Sequence, residues 1–278
     1  MRANTINLLG ASMHYTVYGH AGPAVVLLHG FGFDSRIWHS QIAALQASCR
    51  LLVPDLPGSG YSTIPAISDP NEAGNLFAEI DTYALLVKAM ADAEKTGPLI
   101  LLGHSMGGYI TLAFVEKYPD AVQAYGLIHS TAYADSREKK EMRTRSIVLM
   151  EEFGAAAFLK NTIPNLFGQA FRKERPEQIK RLIREGASFS VSSLQQYYRA
   201  MRDRPDRTHV LAGNQHPVLF VLGAEDVAAP LNDLLQQVSV PPGISYIRLL
   251  PGIGHMSMCE APETLNRQLL EFISFNTA

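Results

Sequence analysis

A serine hydroxyl is a poor nucleophile at neutral pH until a neighbouring base takes its proton. A serine therefore matters when its surroundings are built for that event. The segment Leu99-Ile100-Leu101-Leu102-Gly103-His104-Ser105-Met106-Gly107-Gly108 is such a setting, because an apolar run suited to a buried strand passes through Gly-x-Ser-x-Gly into a helical stretch. A nucleophile on a sharp strand-to-helix turn needs small residues two positions to either side, since larger side chains would strike the adjoining strand and helix. Gly103 and Gly107 meet that need and leave the Ser105 hydroxyl projecting above the sheet. The helix that starts after Ser105 directs unpaired amides and a partial positive charge at the same place, where they can hold an oxyanion.

The base must be a histidine. Of the nine in the chain, His255 is best placed, because Gly252-Ile253-Gly254-His255 follows the last strand-like run at its C-terminal end. That is the end at which α/β sheets gather their sites. The imidazole in turn needs a carboxylate to fix its tautomer and face the imidazolium. Val218 to Leu222 leads into Gly223-Ala224-Glu225-Asp226, and on these residues alone either carboxylate could serve. A further glycine-rich turn, His29-Gly30-Phe31-Gly32, follows the strand-like run Ala24 to Leu28 and allows the backbone to approach a ligand closely. The main-chain amides of Phe31 and Met106 are the expected oxyanion donors. Losing one such donor typically removes about 3 kcal/mol of transition-state stabilisation.

These turns need a frame. Strand-type runs occur at Ile6 to Leu9, Met13 to Tyr18, Ala24 to Leu28, Arg50 to Val53, Leu99 to Leu102, Gln123 to Ile128, Val218 to Leu222 and Ser245 to Leu250. Helical patterns fall between them at Ile37 to Gln46, Leu76 to Ala93, Gly107 to Lys117, Asn232 to Val238 and Glu263 to Phe275. This alternation predicts an α/β fold with a mostly parallel sheet of about eight strands, opened by an antiparallel hairpin around Gly10-Ala11-Ser12. With 278 residues, 47% of them hydrophobic and 18% charged, one domain with an ample core is expected.

The alternation lapses from about Tyr133 to Arg207, where helical spacing such as Ile179, Leu182 and Ile183 takes over. Residues 133–207 are read as a helical insertion above a core made of 1–132 and 208–278. The insertion holds 16 Lys/Arg against 10 Asp/Glu, the rest of the chain 8 against 16. One reading is a mobile basic lid over an acidic body, favouring anionic substrates. The preferred one is a solvated helix face laced by i, i+4 pairs such as Glu141 with Arg145 and Glu177 with Arg181. Within the insertion Phe153, Phe158, Leu159, Phe167, Tyr197 and Tyr198 can roof an apolar pocket.

Several function classes are excluded or disfavoured. A net charge of −2 gives no footprint for nucleic acid. No apolar run approaches the roughly 20 residues that cross a bilayer, and Met1 to Gly19 lacks a signal-peptide pattern, so no membrane association and a cytoplasmic location are expected. Cys49 and Cys259 form neither a disulfide framework nor a zinc pattern. Gly58-Ser59-Gly60 does not complete Gly-x-Gly-x-x-Gly, since position 63 is threonine, so a dinucleotide site lacks support. Asp55 precedes Pro57-Gly58-Ser59-Gly60 and is expected to serve a turn.

Taken together, the His29-Gly30 loop, Asp55 to Ser62, the Gly103 to Gly108 elbow, Gly223 to Asp226, and Gly254-His255 with Glu260-Ala261-Pro262 resemble the α/β-hydrolase superfamily over nearly the whole chain. The order Ser105, Asp226, His255 is that superfamily's order. The resemblance favours Asp226 over Glu225, because Gly-x-x-Asp before Pro230 is similar to the family pattern. It also implies a cap inserted after the sixth strand, and it is nearest to cofactor-independent esterase, lactonase and carbon–carbon hydrolase branches. Haloalkane dehalogenases and epoxide hydrolases are similar but carry aspartate where this chain has Ser105. The expected function is hydrolysis of a small carboxylic ester or lactone through an acyl-enzyme, with no metal or organic cofactor, by a monomer or homodimer. Carbon–carbon hydrolysis, acyl or peracid transfer, and a non-enzymatic ligand sensor are the alternatives. Trp38, His129 and Tyr197 are candidate pocket residues, each with core packing as the competing role.

Overall fold

A strand buried at every position needs cover on both faces, and β3 (Ala24–Leu28), β5 (Leu99–His104) and β7 (Val218–Gly223) are buried throughout. The computed structural model, which describes residues 1–65 and 75–277, builds them into an eight-stranded sheet. The others are β1 (Arg2–Leu8), β2 (Ala11–Tyr18), β4 (Arg50–Pro54), β6 (Val122–Ile128) and β8 (Ser245–Leu250). Their spatial order is β1-β2-β4-β3-β5-β6-β7-β8. β2 pairs antiparallel with β1 and β4, and the remaining neighbours are parallel. The sheet is therefore the mostly parallel α/β sheet expected from the sequence.

The helices are α1 (His39–Leu45), α2 (Ile80–Ala93), α3 (Met106–Lys117), α4 (Arg137–Phe153), α5 (Ala155–Thr162), α6 (Gln169–Glu174), α7 (Pro176–Gly186), α8 (Val191–Asp203), α9 (Thr208–Ala212), α10 (Leu231–Gln237), α11 (Ser257–Glu260) and α12 (Pro262–Phe275). α3 lies on β3, β5 and β6 with α2 against it, and α1 packs on α12. Between β6 and β7 the chain makes α4 to α9. Sequence explains their limits: the Ser136 side chain caps α4, Gly154 at φ 84° ends it, and Ser190 caps α8 through the Ser193 amide at 3.0 Å. Pro176 opens α7, where a missing amide hydrogen costs nothing.

Departures from the expected boundaries have local causes. The N-terminal hairpin turns at Leu9 (φ 55°) and Gly10 (φ 76°), two consecutive left-handed residues that match the twist of a two-residue turn, so both strands are longer than their apolar signal. Leu76 to Ala93 is not one helix: a short 3-10 turn, Leu76–Ala78, is separated from α2 by an extended Glu79. Likewise the predicted Ile37 to Gln46 helix divides into a 3-10 turn, Ser35–Trp38, and α1. α11 was not expected at all. The described residues contain no helix long and apolar enough to cross a membrane.

Candidate active site

Parallel strands deliver their C-terminal ends to one edge of the sheet, and the loops after β3, β5, β6, β7 and β8 meet there. Ser105 follows β5 with φ 52° and ψ −116°, a conformation that costs a non-glycine residue on the order of 1–3 kcal/mol. Its surroundings enforce the turn. A Cβ on Gly103 would lie 2.3 Å from the Gly107 carbonyl oxygen, and one on Gly107 would lie 2.4 Å from that of Leu28. The Ser105 amide donates to Ile128 O at 2.9 Å, and its carbonyl accepts from the Gly108 amide and from Ser130 Oγ, both at 2.8 Å. Ser130 is thereby a clamp on the elbow.

The loop after β3 comes directly against this turn. A Cβ on Gly30 would sit 3.1 Å from Ser105 Cβ and 2.9 Å from His104 Nδ1. Met106 is the first residue of α3, and neither its amide nor that of Phe31 has an acceptor among the described residues. His29 fastens the loop from below: its Nδ1 bonds to Gly30 O, and its Nε2 accepts from the Leu56 amide, each at 2.9 Å. Nδ1 must then carry the hydrogen, and burial holds this ring below the usual histidine range.

Asp226 and His255 are joined. His255 Nδ1 donates to Asp226 Oδ2 at 2.8 Å, while Oδ1 accepts the amides of Ala228 and Ala229 at 2.9 and 2.8 Å. Burial opposes ionisation of Asp226, but the facing charge of His255 and hydrogen bonds from His129 and His255 outweigh it and hold the carboxyl well below the usual carboxylate range. Glu225 is turned elsewhere, accepting the Gln169 amide at 2.7 Å. Ser105 reaches the pair through its neighbours. The His104 ring lies 4.8 Å from the His255 ring, with its Nε2 donating to His255 O at 2.9 Å. No hydrogen bond between Ser105 Oγ and His255 occurs among those of the described residues.

Of the three candidate pocket residues, each is fully buried. Trp38 lies edge-on to His104 at 6.4 Å. The hydroxyl of Tyr197 donates to Leu56 O and Pro57 O at 3.1 and 2.7 Å, fastening α8 to the turn after β4. His129 spends both ring nitrogens on protein, Nδ1 on Asp226 at 3.2 Å and Nε2 on Ser257 at 2.8 Å, so neither is left for a substrate. The Phe31 side chain instead meets α5 and α8, with ring centroids 6.3 Å from Phe158 and 4.5 Å from Tyr198. Phe153, considered above for a pocket roof, is 61% exposed and faces solvent.

The charge pattern also differs from the expected one. Glu141 pairs with Arg137 and Glu177 with Lys180, not with Arg145 and Arg181. Several of the insertion's arginines turn inward. Arg207 meets Asp81 at 2.7 Å and Glu116 at 2.8 Å, both on core helices. Arg143 and Arg204 share the buried Asp135, and Arg204 lies 3.9 Å from the centre of the Tyr109 ring. Part of the basic excess is thus used to fasten the segment to an acidic core. Asp55 takes the amides of Ser35 and Tyr61, both at 2.9 Å, as a turn residue would.

Sequence reasoning missed Ser257 and undervalued Glu260. Glu260 Oε2 accepts the Gly168 amide at 2.8 Å, and its Oε1 accepts those of Gly254 at 3.1 Å and Met256 at 3.0 Å. The His255 amide itself donates to Leu166 O at 2.7 Å. The histidine loop is therefore tied to the chain just before α6. The Ser257-x-x-Glu260 spacing resembles a capping box but is not used as one, since Met256 holds the N-cap position and Glu260 takes the amides of Gly254 and Met256. Among the described residues, His129, Asp226 and His255 are close enough for a cation, with facing atoms within 4.8 Å. The hydrogen bonds between these three side chains already occupy those atoms. Burial pushes the thiols of Cys49 and Cys259 up to about 11 and about 12, so both stay protonated.

Comparison with known proteins agrees with this architecture. A family model described as "Alpha/beta hydrolase family" matches residues 25–268. The chain is 29% identical over 263 residues to the dihydrolipoyllysine-residue acetyltransferase component of an acetoin cleaving system from Pseudomonas putida, covering 92% of this chain and 64% of that protein. It thus spans less than two thirds of that relative's length. It is 26% identical over 271 residues to a 2-hydroxy-6-oxononadienedioate/2-hydroxy-6-oxononatrienedioate hydrolase from Burkholderia vietnamiensis, covering 94% and 90% of the two chains. Among solved structures, a thermophilic esterase from Thermogutta terrifontis with malate bound superposes over 100% of both chains, with a TM-score of 0.89 at 26% identity.

Proposed function

The chain belongs to the alpha/beta hydrolase family, and from that premise we propose that it is a serine hydrolase acting on a small carboxylic ester or lactone. The observation that carries this reading is the 2.8 Å bond between His255 and an ionised Asp226 at the sheet edge where Ser105 holds its strained turn. In the proposed reaction Ser105 Oγ attacks the carbonyl carbon as His255 Nε2 takes its proton, and the amides of Phe31 and Met106 receive the oxyanion. Collapse of the tetrahedral intermediate breaks the bond to the leaving oxygen, which takes the proton back from His255. Water, deprotonated by the same ring, then attacks the acyl-enzyme and releases the acid and Ser105. Residues 133–207 act as a cap in this reading, with Phe158 and Tyr198 closing over the oxyanion loop at Phe31. The finer expectations of a cytoplasmic monomer or homodimer go with it.

A fluorophosphonate probe followed by intact-mass measurement tests the nucleophile without knowledge of the substrate. A single adduct on wild type and none on Ser105→Ala is the expected result; equal labelling of both proteins overturns the assignment. Carbon–carbon hydrolysis is the second reading, favoured by the similarity to the Burkholderia vietnamiensis hydrolase over most of both chains. A panel of esters, lactones and vinylogous diketones with product identification separates the two.

A further inference from the structure

Asp226 Oδ2 has two imidazole partners, His255 Nδ1 at 2.8 Å and His129 Nδ1 at 3.2 Å. His129 sits at the C-terminal end of β6 with φ 51°, in the left-handed region that side-chain-bearing residues seldom enter. Its amide donates to Val221 O at 2.9 Å on β7, which fixes that conformation, and its side chain is fully buried. The positions of the hydrogens follow from simple rules. An ionised carboxylate only accepts, so both rings must carry hydrogen on Nδ1. Burial pushes His129 below the usual histidine range, so the ring is neutral and its Nε2 is a lone pair. The Ser257 hydroxyl, 2.8 Å from that nitrogen and itself fully buried, must then donate. A one-way chain results, from Ser257 O–H to His129 Nε2 and from His129 Nδ1–H to the oxygen that also orients His255.

We propose that His129 is a positioning residue that acts through Asp226. By donating to the same oxygen as His255, it fixes the rotation of the carboxylate and draws off part of the negative charge that would otherwise face the His255 ring. Its effect on turnover rests on the Ser105–His255–Asp226 reading above, whereas the hydrogen arrangement does not. The titratable neighbours are few. His255 meets Asp226 and the rings of His104 at 4.8 Å and His129 at 5.6 Å, and His129 faces His104 at 6.1 Å. Burial, with the two other histidines adding to it, keeps His104 well below the usual range, so it stays neutral. Glu260, which interacts with Asp226, is the next carboxylate, and its oxygens are occupied by the amides of Gly168, Gly254 and Met256. Removing the His129 donor therefore leaves Asp226 to act more strongly on His255. The imidazolium is better stabilised and holds its proton to higher pH, so the acid limb of the rate profile moves up.

Two measurements test this on the full chain. Nitrogen NMR of histidine-labelled protein at neutral pH should report Nδ1–H tautomers for both His129 and His255, with Nε2–H for His104; an Nε2–H tautomer at His129 overturns the proposal. The second is the pH dependence of kcat/KM with p-nitrophenyl acetate for wild type, His129→Leu and His129→Asn. Leucine offers no donor, whereas asparagine places an amide nitrogen where Nδ1 was and tolerates positive φ. The leucine variant should shift the acid limb upward by about one pH unit and lower kcat roughly tenfold with less change in KM, and asparagine should restore the wild-type limb. A folded leucine variant whose acid limb coincides with wild type refutes the role, because a merely structural loss would leave the limb in place. Should leucine prevent folding, Ser257→Ala gives the same reading: Asp226 still holds the His129 hydrogen on Nδ1, but loss of the bond to Nε2 weakens Nδ1–H as a donor and should give a smaller upward shift of the acid limb, and an acid limb coincident with wild type would count against the proposal. A wild type inert to both ester and probe would sink the proposed function while the tautomer measurement still decides this inference.

Discussion

The ring of polar contacts around Asp226 and the polar contacts of the α4–α9 segment are made differently. Around Asp226, four donors from His255, His129, Ala228 and Ala229 fill one carboxylate, and the carbonyl and amide of Ser105 are also occupied. Short hydrogen bonds to an ionised carboxylate are charge-assisted, hold geometry closely and leave little freedom. The segment's two ends are joined to each other by Asp135 with Arg143 and Arg204, and it is attached to the core by Arg207 with Asp81 and Glu116, by the hydroxyl of Tyr197, and by the bonds of Leu166, Gly168 and Gln169 to His255, Glu260 and Glu225. In the proposed reading one region orients reacting atoms, and the other stays attached while presenting its apolar side to the substrate.

If that division is right, substitutions at the sheet edge should abolish turnover and leave folding near wild type, and substitutions in the segment should do the reverse. The sharpest case is Ser105→Ala, with an expected loss of about 10⁶ in ester hydrolysis and an unchanged melting curve, measured by steady-state kinetics and circular dichroism. Next comes Asp226→Asn, which should cost on the order of 10⁴ in kcat, because a neutral amide no longer faces the imidazolium with a charge and its NH2 favours the wrong His255 tautomer. Its partner experiment, Glu225→Gln, should leave kcat within severalfold of wild type; the opposite ranking would mean that the wrong carboxylate has been assigned.

On the other side of the comparison, Asp135→Asn breaks a buried pair with two arginines and should lower unfolding free energy by about 3 kcal/mol in denaturant titrations. Burial resists ionisation of Asp135, yet Arg143 and Arg204 hold its carboxyl below the usual carboxylate range. The stability it contributes is therefore present above an unfolded aspartate's pKa of about 3.9 and is lost as pH falls through the lower folded value. Asparagine should accordingly flatten the acid side of the wild-type stability curve, and an unaltered acid limb would deny Asp135 that role. Smallest of all, Tyr197→Phe removes the donor to Leu56 and Pro57 carbonyls and should cost about 1 kcal/mol, with turnover altered less than twofold.

The two regions were also unequally legible. The parallel strands could be read because burial on both faces demands continuous apolar runs, as in Val218 to Leu222, and the turns could be read because Gly103, Gly107 and Gly30 occupy places where a Cβ would collide. Asp226 and Glu225 could not be separated by composition, since the difference lies in which one the backbone turns toward His255 and which toward the Gln169 amide. The segment showed only a helical period. Its partners were misassigned because Glu141 and Glu177 each have several cations within helical reach, and only packing selects Arg137 and Lys180. The second histidine on Asp226 lies 97 residues from it in sequence, a distance at which no local pattern operates.

The bonds from the His255 loop to the chain before α6 bear on the order in which the molecule comes together. Glu260 and Gly168 are 92 residues apart, and the His255 amide is held by Leu166. Closing so long a loop is among the slower and later events of folding. The sheet's own β6–β7 pairing closes a span of like length, Tyr125 to Val218, so the histidine is locked only with the last strands, after the helices and the nearer strand pairs have formed. Reactivity toward a serine-directed probe should return after most of the far-ultraviolet signal when the chain refolds, so that the last contacts made are those on which the proposed chemistry depends.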